Sequence, residues 1–302
     1  MQVGAPPIPR HLLRIADLEA DSLAALLDLA ATMKARPHGF VEALRGDTVV
    51  CFFEKPSTRT RVSFAAAAER LGMMPLVLRP DELQLGRGET LEDTAHTLSG
   101  YAVAIVVRTF AHTTVERLAA AATIPVVNAL TDAHHPCQAL ADLMTLRERF
   151  GRLSGLRVAS GGAGNNVATS LLEAGKLAGM EVVVACPPGY EPAVADAHVV
   201  TDPVEAVAGA DAVYTDVWVS MGEEAEREAR RAIFEPYRVD AQLLAIARPD
   251  AVFMHCLPAH RGEEVTADVI DGPQSVVWQQ AENRLPTEEA LLLSLVARRW
   301  ET

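Results

Sequence analysis

Apolar residues along this chain fall in short blocks, and the spacing within successive blocks alternates between two periods. Thr48–Phe53 (TVVCFF) is an unbroken apolar run of strand length. The following stretch, Arg61–Leu71, spaces its alanines as a packed helix does. Ala104–Val107 and Pro125–Asn128 repeat the short runs, with a helical pattern around Thr114–Ala122 between them. The rhythm restarts after Gly151. Leu156–Ala159, Glu181–Ala185, Ala212–Thr215 and Ala251–His255 read as strands, and Asn165–Ala178 and Glu223–Ile233 as helices. Short apolar runs that alternate with helices are the pattern of parallel strands covered on both faces. The expected fold is α/β.

Length divides this pattern in two. At roughly 150 residues per domain, 302 residues suggest two domains. The break is expected near Phe150–Gly155 (FGRLSG), where a long helix over Pro136–Arg149 ends in charged residues and two glycines. The expected architecture is two domains, residues 1–150 and 151–285. Each is a parallel β-sheet flanked by helices, doubly wound and Rossmann-like. A last helix over Thr287–Arg299 carries an apolar stripe through Ala290, Leu291, Leu295 and Val296.

Composition narrows the function. Hydrophobic residues at 49% and charged residues at 22% are ordinary for a globular protein and argue against disorder or coiled coil. Twenty-seven basic against forty acidic side chains leave a net charge of −13, which disfavours nucleic acid and anionic membranes as partners. A small anionic substrate stays compatible, because a few arginines in one cleft reverse the local field. No apolar run reaches the ~20 residues of a membrane span. The opening MQVGAPPIPR shows no secretory apolar segment. Cys51, Cys137, Cys186 and Cys256 are widely spaced without a CxxC pair. Neither a zinc site nor a disulfide framework is expected, and a reducing, cytoplasmic setting is.

Polar residues at the ends of the apolar runs carry the candidate chemistry. FEKPSTRTRVSF (Phe53–Phe64) leaves a strand and opens a helix. Hydroxyls of Ser57, Thr58 and Thr60, the Arg59 guanidinium and the helix-start N–H groups together form an anion site suited to phosphate. Arg61 points elsewhere and is expected in a structural ion pair. In HHPCQALAD (His134–Asp142), Pro136 suits the first helical position, so His135 and Gln138 share one face at the helix start. That location disfavours the imidazolium and leaves a neutral His135 able to polarise a carbonyl. DVWVSMG (Asp216–Gly222) and HCLP (His255–Pro258) both follow strands, where ligand crevices lie in parallel sheets. Asp216 could take an ammonium group. Cys256 could be a reactive thiol or a buried small hydrophobe. Adjacent strand residues face opposite ways, so His255 is not expected to activate Cys256. GGAGNN (Gly161–Asn166) lacks the full GxGxxG pattern, which disfavours a dinucleotide.

These stretches, with QLGRGET (Gln84–Thr90), RTF (Arg108–Phe110) and ENR (Glu282–Arg284), occur in an order that resembles the aspartate/ornithine carbamoyltransferase family over nearly the whole chain. SMG points within it toward ornithine as acceptor. The resemblance implies a first domain for carbamoyl phosphate, a second for the amino acid, and a C-terminal helix (286–302) packing back on the first. It implies transfer of the carbamoyl group to the δ-amine of L-ornithine, giving L-citrulline and phosphate, without metal or cofactor. It also implies a homotrimer or a multiple of trimers. Carried over by motif, Ser57, Thr58, Arg59, Thr60 and Arg108 would hold the phosphate, with Gln84 reaching in from a neighbouring subunit. Thr60, Arg108, His135 and Arg284 would face the carbamoyl oxygen, and Gln138 the amino group. Asn166, Asp216, Ser220 and Met221 would bind the amino-acid end of ornithine, and Cys256 and the Leu257 carbonyl would lie beside its δ-amine. Arg108, His135, Cys256 and Arg284 would be catalytic.

Two departures fall on the amino-acid side. Ala163 stands where the family has an acid, and the stretch between Tyr190 and Asp211 is short for the family. The alternatives are therefore another amine acceptor (putrescine, an acylated ornithine or aspartate) or a catalytically silent subunit of the same fold.

Overall fold

Strands that lie inside a parallel sheet need apolar side chains on both faces, and the runs above form such strands in the computed structural model. It describes residues 8–219 and 227–297. The chain divides into two units, one running to Met144 and resuming at Asn283, the other Thr145–Glu282.

In the first unit, helix α1 (Ala20–Ala35) precedes β1 (Thr48–Phe53), α2 (Arg59–Arg70), β2 (Met74–Leu78), α3 (Leu91–Ser99), β3 (Ala104–Arg108), α4 (His112–Ala121) and β4 (Val126–Leu130). Helix α5 (Pro136–Phe150) follows. The strands pair in parallel in the order β2–β1–β3–β4. β3 is buried throughout, and β1 everywhere but Thr48. Edge strand β2 exposes Met74 and Leu76. The opposite edge is covered. Leu12 donates its N–H to the Val126 carbonyl and accepts from the Asn128 N–H, closing β4 against solvent.

In the second unit, β5 (Arg157–Gly161), α6 (Asn166–Ala178), β6 (Glu181–Ala185), β7 (His198–Val200), α7 (Pro203–Val207) and β8 (Ala212–Thr215) come first. Then follow α8 (Arg227–Phe234), α9 (Ala241–Leu244), β9 (Val252–His255), α10 (Ala267–Ile270) and α11 (Val277–Glu282). The parallel order is β7–β6–β5–β8–β9. Ala159, Val183, Val213 and Phe253 of the strands pack with Trp218, Phe234 and Tyr237 in one core. The first residues of the helix expected over Glu223–Ile233 lie outside the described residues. The short stretch after Tyr190 contains no helix before α7.

The last helix, α12 (Arg284–Ala297), belongs to the first unit, where it packs on α1 and α2. It begins three residues before the expected Thr287. Pro286 fits its first turn, where a missing N–H costs nothing. The helix is buried from Pro286 to Val296, polar residues included. Lys34 Nζ donates to Asn283 Oδ1 (2.6 Å) and Arg284 to Gln138 Oε1 (2.9 Å). These bonds explain why the unit begins again at Asn283 and why the early part of α5, which bears Gln138, belongs to it. No helix among the described residues is long and apolar enough to cross a membrane.

Both sheets reverse direction beside their first strand. After β1 the chain adds β2 on one side and β3 and β4 on the other. After β5 it adds β6 and β7 on one side, then β8 and β9 on the other. Open α/β sheets take ligands at such a switch point, beyond the carboxyl ends of the flanking strands. The strand ends concerned are Phe53 and Arg108 in one sheet, and Gly161 and Thr215 in the other.

Candidate active site

At the first switch point the chain leaves β1 through Glu54–Thr58 and enters α2. Ser57 Oγ accepts the Thr60 N–H (3.2 Å) and so caps the helix start. Thr60 is buried, Arg59 and Ser57 are half-buried, and Thr58 is exposed. Two links staple this loop to the segments that leave β3 and β4. The Thr109 hydroxyl donates to Glu54, and the buried Lys55 ammonium pairs with Asp132 while lying 4.3 Å from the Phe110 ring centre. Arg61, expected in an ion pair, lies instead over the Phe53 ring at 5.9 Å. On the first turn of a helix it projects outward, where an aromatic face is the nearest partner.

Four polar side chains, from β3, the start of α5 and the start of α12, converge behind this loop. Arg108 ends β3, His135 precedes α5, Gln138 lies on its first turn and Arg284 opens α12. All are buried. Arg284 Nη1 donates to Gln138 Oε1 (2.9 Å), and its Nη2 donates to Thr60 Oγ1 (3.4 Å). Gln138 Nε2 donates in turn to Asp142 Oδ1 (2.8 Å), which fixes the amide's orientation. Burial and then the positive charges of Arg284, Arg108 and Arg59 hold the His135 imidazole well below its usual titration range. His135 is therefore neutral, as expected, but burial and three guanidinium groups rather than the helix start alone enforce it. The arrangement offers positive charge and N–H donors to an anion and its adjoining carbonyl.

Gln84 stands apart from this cluster. It is exposed in a 3-10 turn, Gln84–Arg87, and its Oε1 accepts from Arg87 Nη1 (3.3 Å).

At the second switch point, Asn165 caps α6 by accepting the N–H groups of Val167 (3.0 Å) and Ala168 (3.1 Å). Its Nδ2 donates to Asp216 Oδ2 (2.8 Å). Asp216 also accepts from the Val217 N–H (2.8 Å) and from the Cys256 thiol (3.0 Å). Three donors thus aim one carboxylate. Asn166 is the first residue of α6 and is half-buried, as is Cys256. Ser220 and Met221 lie outside the described residues. Gly164 is required where it stands, because a Cβ there would fall 2.1 Å from the Pro192 nitrogen. Ala163 packs against the core.

His255 engages partners other than the Cys256 thiol with both ring nitrogens. Its Nδ1 accepts the Leu257 N–H (2.8 Å), so Nε2 carries the proton and donates to Glu264 Oε1 (3.2 Å). Burial pushes Glu264 up, but hydrogen bonds from His255 and from the His260 N–H outweigh it and leave the carboxyl below its usual value. This pair holds the turn at Leu257, whose φ of 58° is left-handed. Asp216, His255 and Cys256 bring donor atoms within 4.8 Å of one another, as do His260, Glu263 and Glu264. Both nitrogens of His255 are already engaged and Glu263 pairs with Arg227 (2.6 Å), so hydrogen bonds and ion pairs account for both groups.

Sequence reasoning passed over Asn165, Lys55, Glu264 and Glu288. Asn165 opens the expected helix Asn165–Ala178, and an Asn at the start of a helical run is a cap signal.

The chain matches two family descriptions. "Aspartate/ornithine carbamoyltransferase, carbamoyl-P binding domain" covers residues 10–148, and "Aspartate/ornithine carbamoyltransferase, Asp/Orn binding domain" covers 154–295. A relative from Parafrankia sp. (strain EAN1pec), named ornithine carbamoyltransferase, is 54% identical over 95% of this chain and 96% of its own length. One from Pyrococcus furiosus, named ornithine carbamoyltransferase, anabolic, is 50% identical over 94% of this chain and 95% of its own. Among solved structures, the ornithine carbamoyltransferase of Pyrococcus furiosus superposes with a TM-score of 0.91 at 49% identity, covering 96% of this chain and 98% of that one. The enzyme from Thermus thermophilus gives 0.90 at 46%, covering 96% and 100%.

Proposed function

The chain belongs to the aspartate/ornithine carbamoyltransferase family, and we propose that it transfers the carbamoyl group of carbamoyl phosphate to the δ-amine of L-ornithine. The products are L-citrulline and phosphate. The observation that carries this reading is the buried cluster of Arg108, His135, Gln138, Thr60 and Arg284, with the imidazole held neutral by burial and by the arginines around it.

Each side chain has a task that its surroundings suit. Ser57, Thr58, Arg59 and Thr60 at the start of α2, with Arg108, take the phosphate, since helix-start N–H groups and guanidinium forks match its oxygens. As the neutral amine attacks the carbonyl carbon, charge builds on the carbonyl oxygen. Neutral His135, the Thr60 hydroxyl and the Arg108 and Arg284 guanidinium groups are the donors that stabilise it. Gln138 Oε1 keeps a second lone pair beyond its bond to Arg284, and that lone pair accepts from the carbamoyl NH2. The new C–N bond forms, the bond from carbon to the phosphate oxygen breaks, and the proton lost by the amine leaves on the phosphate. In the second unit, Asp216 binds a cationic amine of ornithine beside Asn166 and Cys256. The Leu257 carbonyl receives the reacting amine. Ser220 and Met221 complete the amino-acid end in this proposal.

An acceptor with a free cationic amine, as ornithine has, is favoured over an acylated ornithine by one feature. Asp216 is oriented by Asn165, Val217 and Cys256, none of which depends on residue 163, so the alanine there leaves the carboxylate in place. Gln84, exposed and bonded to Arg87, supports a homotrimer in which it serves a neighbouring subunit. A cytoplasmic setting, in arginine biosynthesis, completes the reading. It is supported by the four cysteines, none of which forms a disulfide.

Colorimetric citrulline formation from carbamoyl phosphate and L-ornithine tests this, with putrescine, acetylornithine and aspartate as parallel acceptors. Strong preference for ornithine is expected. Preference for another amine would overturn the acceptor, and no turnover with any would overturn the activity.

A further inference from the structure

The buried face of α12 carries a carboxyl group that the reaction as described leaves without a task. Arg284 opens this helix and Glu288 follows one turn later, so both side chains share a face. Both are almost wholly removed from solvent, with side chains 4% and 1% exposed. The Glu288 carboxyl is turned toward the start of the helix. Its Oε1 accepts from Arg284 Nε (3.1 Å) and from Nη2 (2.7 Å). Two N–H groups of one planar guanidinium on one oxygen fix the plane and its rotation about the side-chain axis. With that plane fixed, Nη1 meets Gln138 Oε1 and Nη2 meets Thr60 Oγ1. The orientation is passed on, because Gln138 Nε2 is in turn tied to Asp142.

We propose that Glu288 is a positioning residue for carbamoyl transfer, holding the Arg284 guanidinium in the plane that presents it to Thr60, Gln138 and the substrate. The proposal rests on the activity argued above. A buried guanidinium without a carboxylate would still need acceptors for five N–H groups. The acceptors near it are those of the substrate site and, behind Gln138, the Asp142 carboxylate. Freed from Glu288, Arg284 would rotate onto them and lose its alignment with the carbamoyl oxygen. The other groups that face this carboxyl are the Ser63 hydroxyl of α2 and the thiols of Cys51 on β1 and Cys137 on α5. None is a cation, so Arg284 is the charge it meets.

The test compares Glu288→Ala, Glu288→Gln and Glu288→Asp by steady-state citrulline formation at pH 8. That lies above the value of about 7 to which burial pushes the Glu288 carboxyl. Glu288→Ala is expected to lower kcat at least tenfold and raise the carbamoyl phosphate KM, with the ornithine KM within twofold of wild type. Glu288→Gln keeps an acceptor oxygen in place and should return kcat to within threefold. Glu288→Asp keeps the charge but withdraws the oxygen by one methylene, and should fall like the alanine variant. A thermal melt of each variant separates lost fold from lost alignment. Wild-type kcat and KM values in folded Glu288→Ala, or in Glu288→Asp should the alanine variant not fold, would overturn the proposal. Failure of Glu288→Gln to recover activity while folded would overturn it too. Failure of the wild-type chain to make citrulline would instead overturn the activity it rests on.

Discussion

Asn165→Ser separates two tasks that one side chain performs. The Oδ1 of Asn165 caps α6, and its Nδ2 donates to Asp216 Oδ2 at 2.8 Å. Serine is as good a cap as asparagine, so the helix should survive. Serine cannot supply the amide donor, so Asp216 loses one of its three hydrogen bonds and keeps those from Val217 and Cys256. A hydrogen bond to a charged group is worth ~1.5–3 kcal/mol, and ~1.4 kcal/mol is a factor of ten. If Asp216 binds a cationic amine of ornithine, the ornithine KM should rise roughly 10- to 100-fold, nearer the lower figure because two donors remain. The carbamoyl phosphate KM should stay put. Asn165→Ala removes the cap as well and costs about 1 kcal/mol more, which in a protein of this size lowers Tm by roughly 2–4 °C. Steady-state kinetics with each substrate varied, beside thermal melts of both variants, read the two effects apart. A wild-type ornithine KM in folded Asn165→Ser would refute the reasoning, because Asp216 would then not be the ammonium site or would not need Asn165 to aim it.

Two further outcomes follow from the first unit. Arg108→Ala and His135→Ala each remove a donor to the developing oxyanion, a loss of ~2.7–4 kcal/mol of transition-state stabilisation, so kcat should drop by about two to three orders of magnitude without a large change in Tm; near-normal turnover in either would contradict its role. Glu289→Gln should stabilise the protein more at pH 8 than at pH 5. Burial raises the Glu289 carboxyl to about 7, against Arg70 at 3.6 Å, from an ordinary 4.5. The folded chain therefore holds this proton more tightly than the unfolded one, and that contribution to stability, fully present below about 4.5, is lost as pH rises through about 7. The difference is at most ~3 kcal/mol. A Tm gain for Glu289→Gln that is equal at the two pH values would count against the raised carboxyl.

Much of the architecture was legible in the order of residues. Strands β1, β3, β6 and β8 are buried on both faces, and such strands must be apolar at every position, so they stand out as unbroken runs. The motifs were legible for a related reason. Polar residues at the carboxyl end of a buried run mark the point where a strand leaves the sheet and can meet a ligand. Strand β2 escaped notice because it is an edge strand, with a proline in MPLVL and alternate residues exposed. Strand β7 is only three residues long.

Sequence alone also nominated the chemical groups of the candidate site, from the hydroxyl and guanidinium groups at Ser57–Thr60 to His135, Asp216 and Cys256. It could not say which of them meet. Arg284 bonds to Gln138, 146 positions away, and to Thr60, 224 positions away. Periodicity reports that a face is covered but not by what, because the covering partner is set by how distant segments pack. The same limit hid the polar seam of α12. The pattern of that helix shows its apolar stripe, and Glu288 and Glu289 look like residues for solvent. Only the packing of α12 on α1 and α2 buries them, and only there does a carboxyl group become the partner of Arg284. The charge state of His135 is likewise a tertiary property. Its nearest charges are arginines that lie far from it in sequence, and together with burial they decide that the imidazole stays neutral.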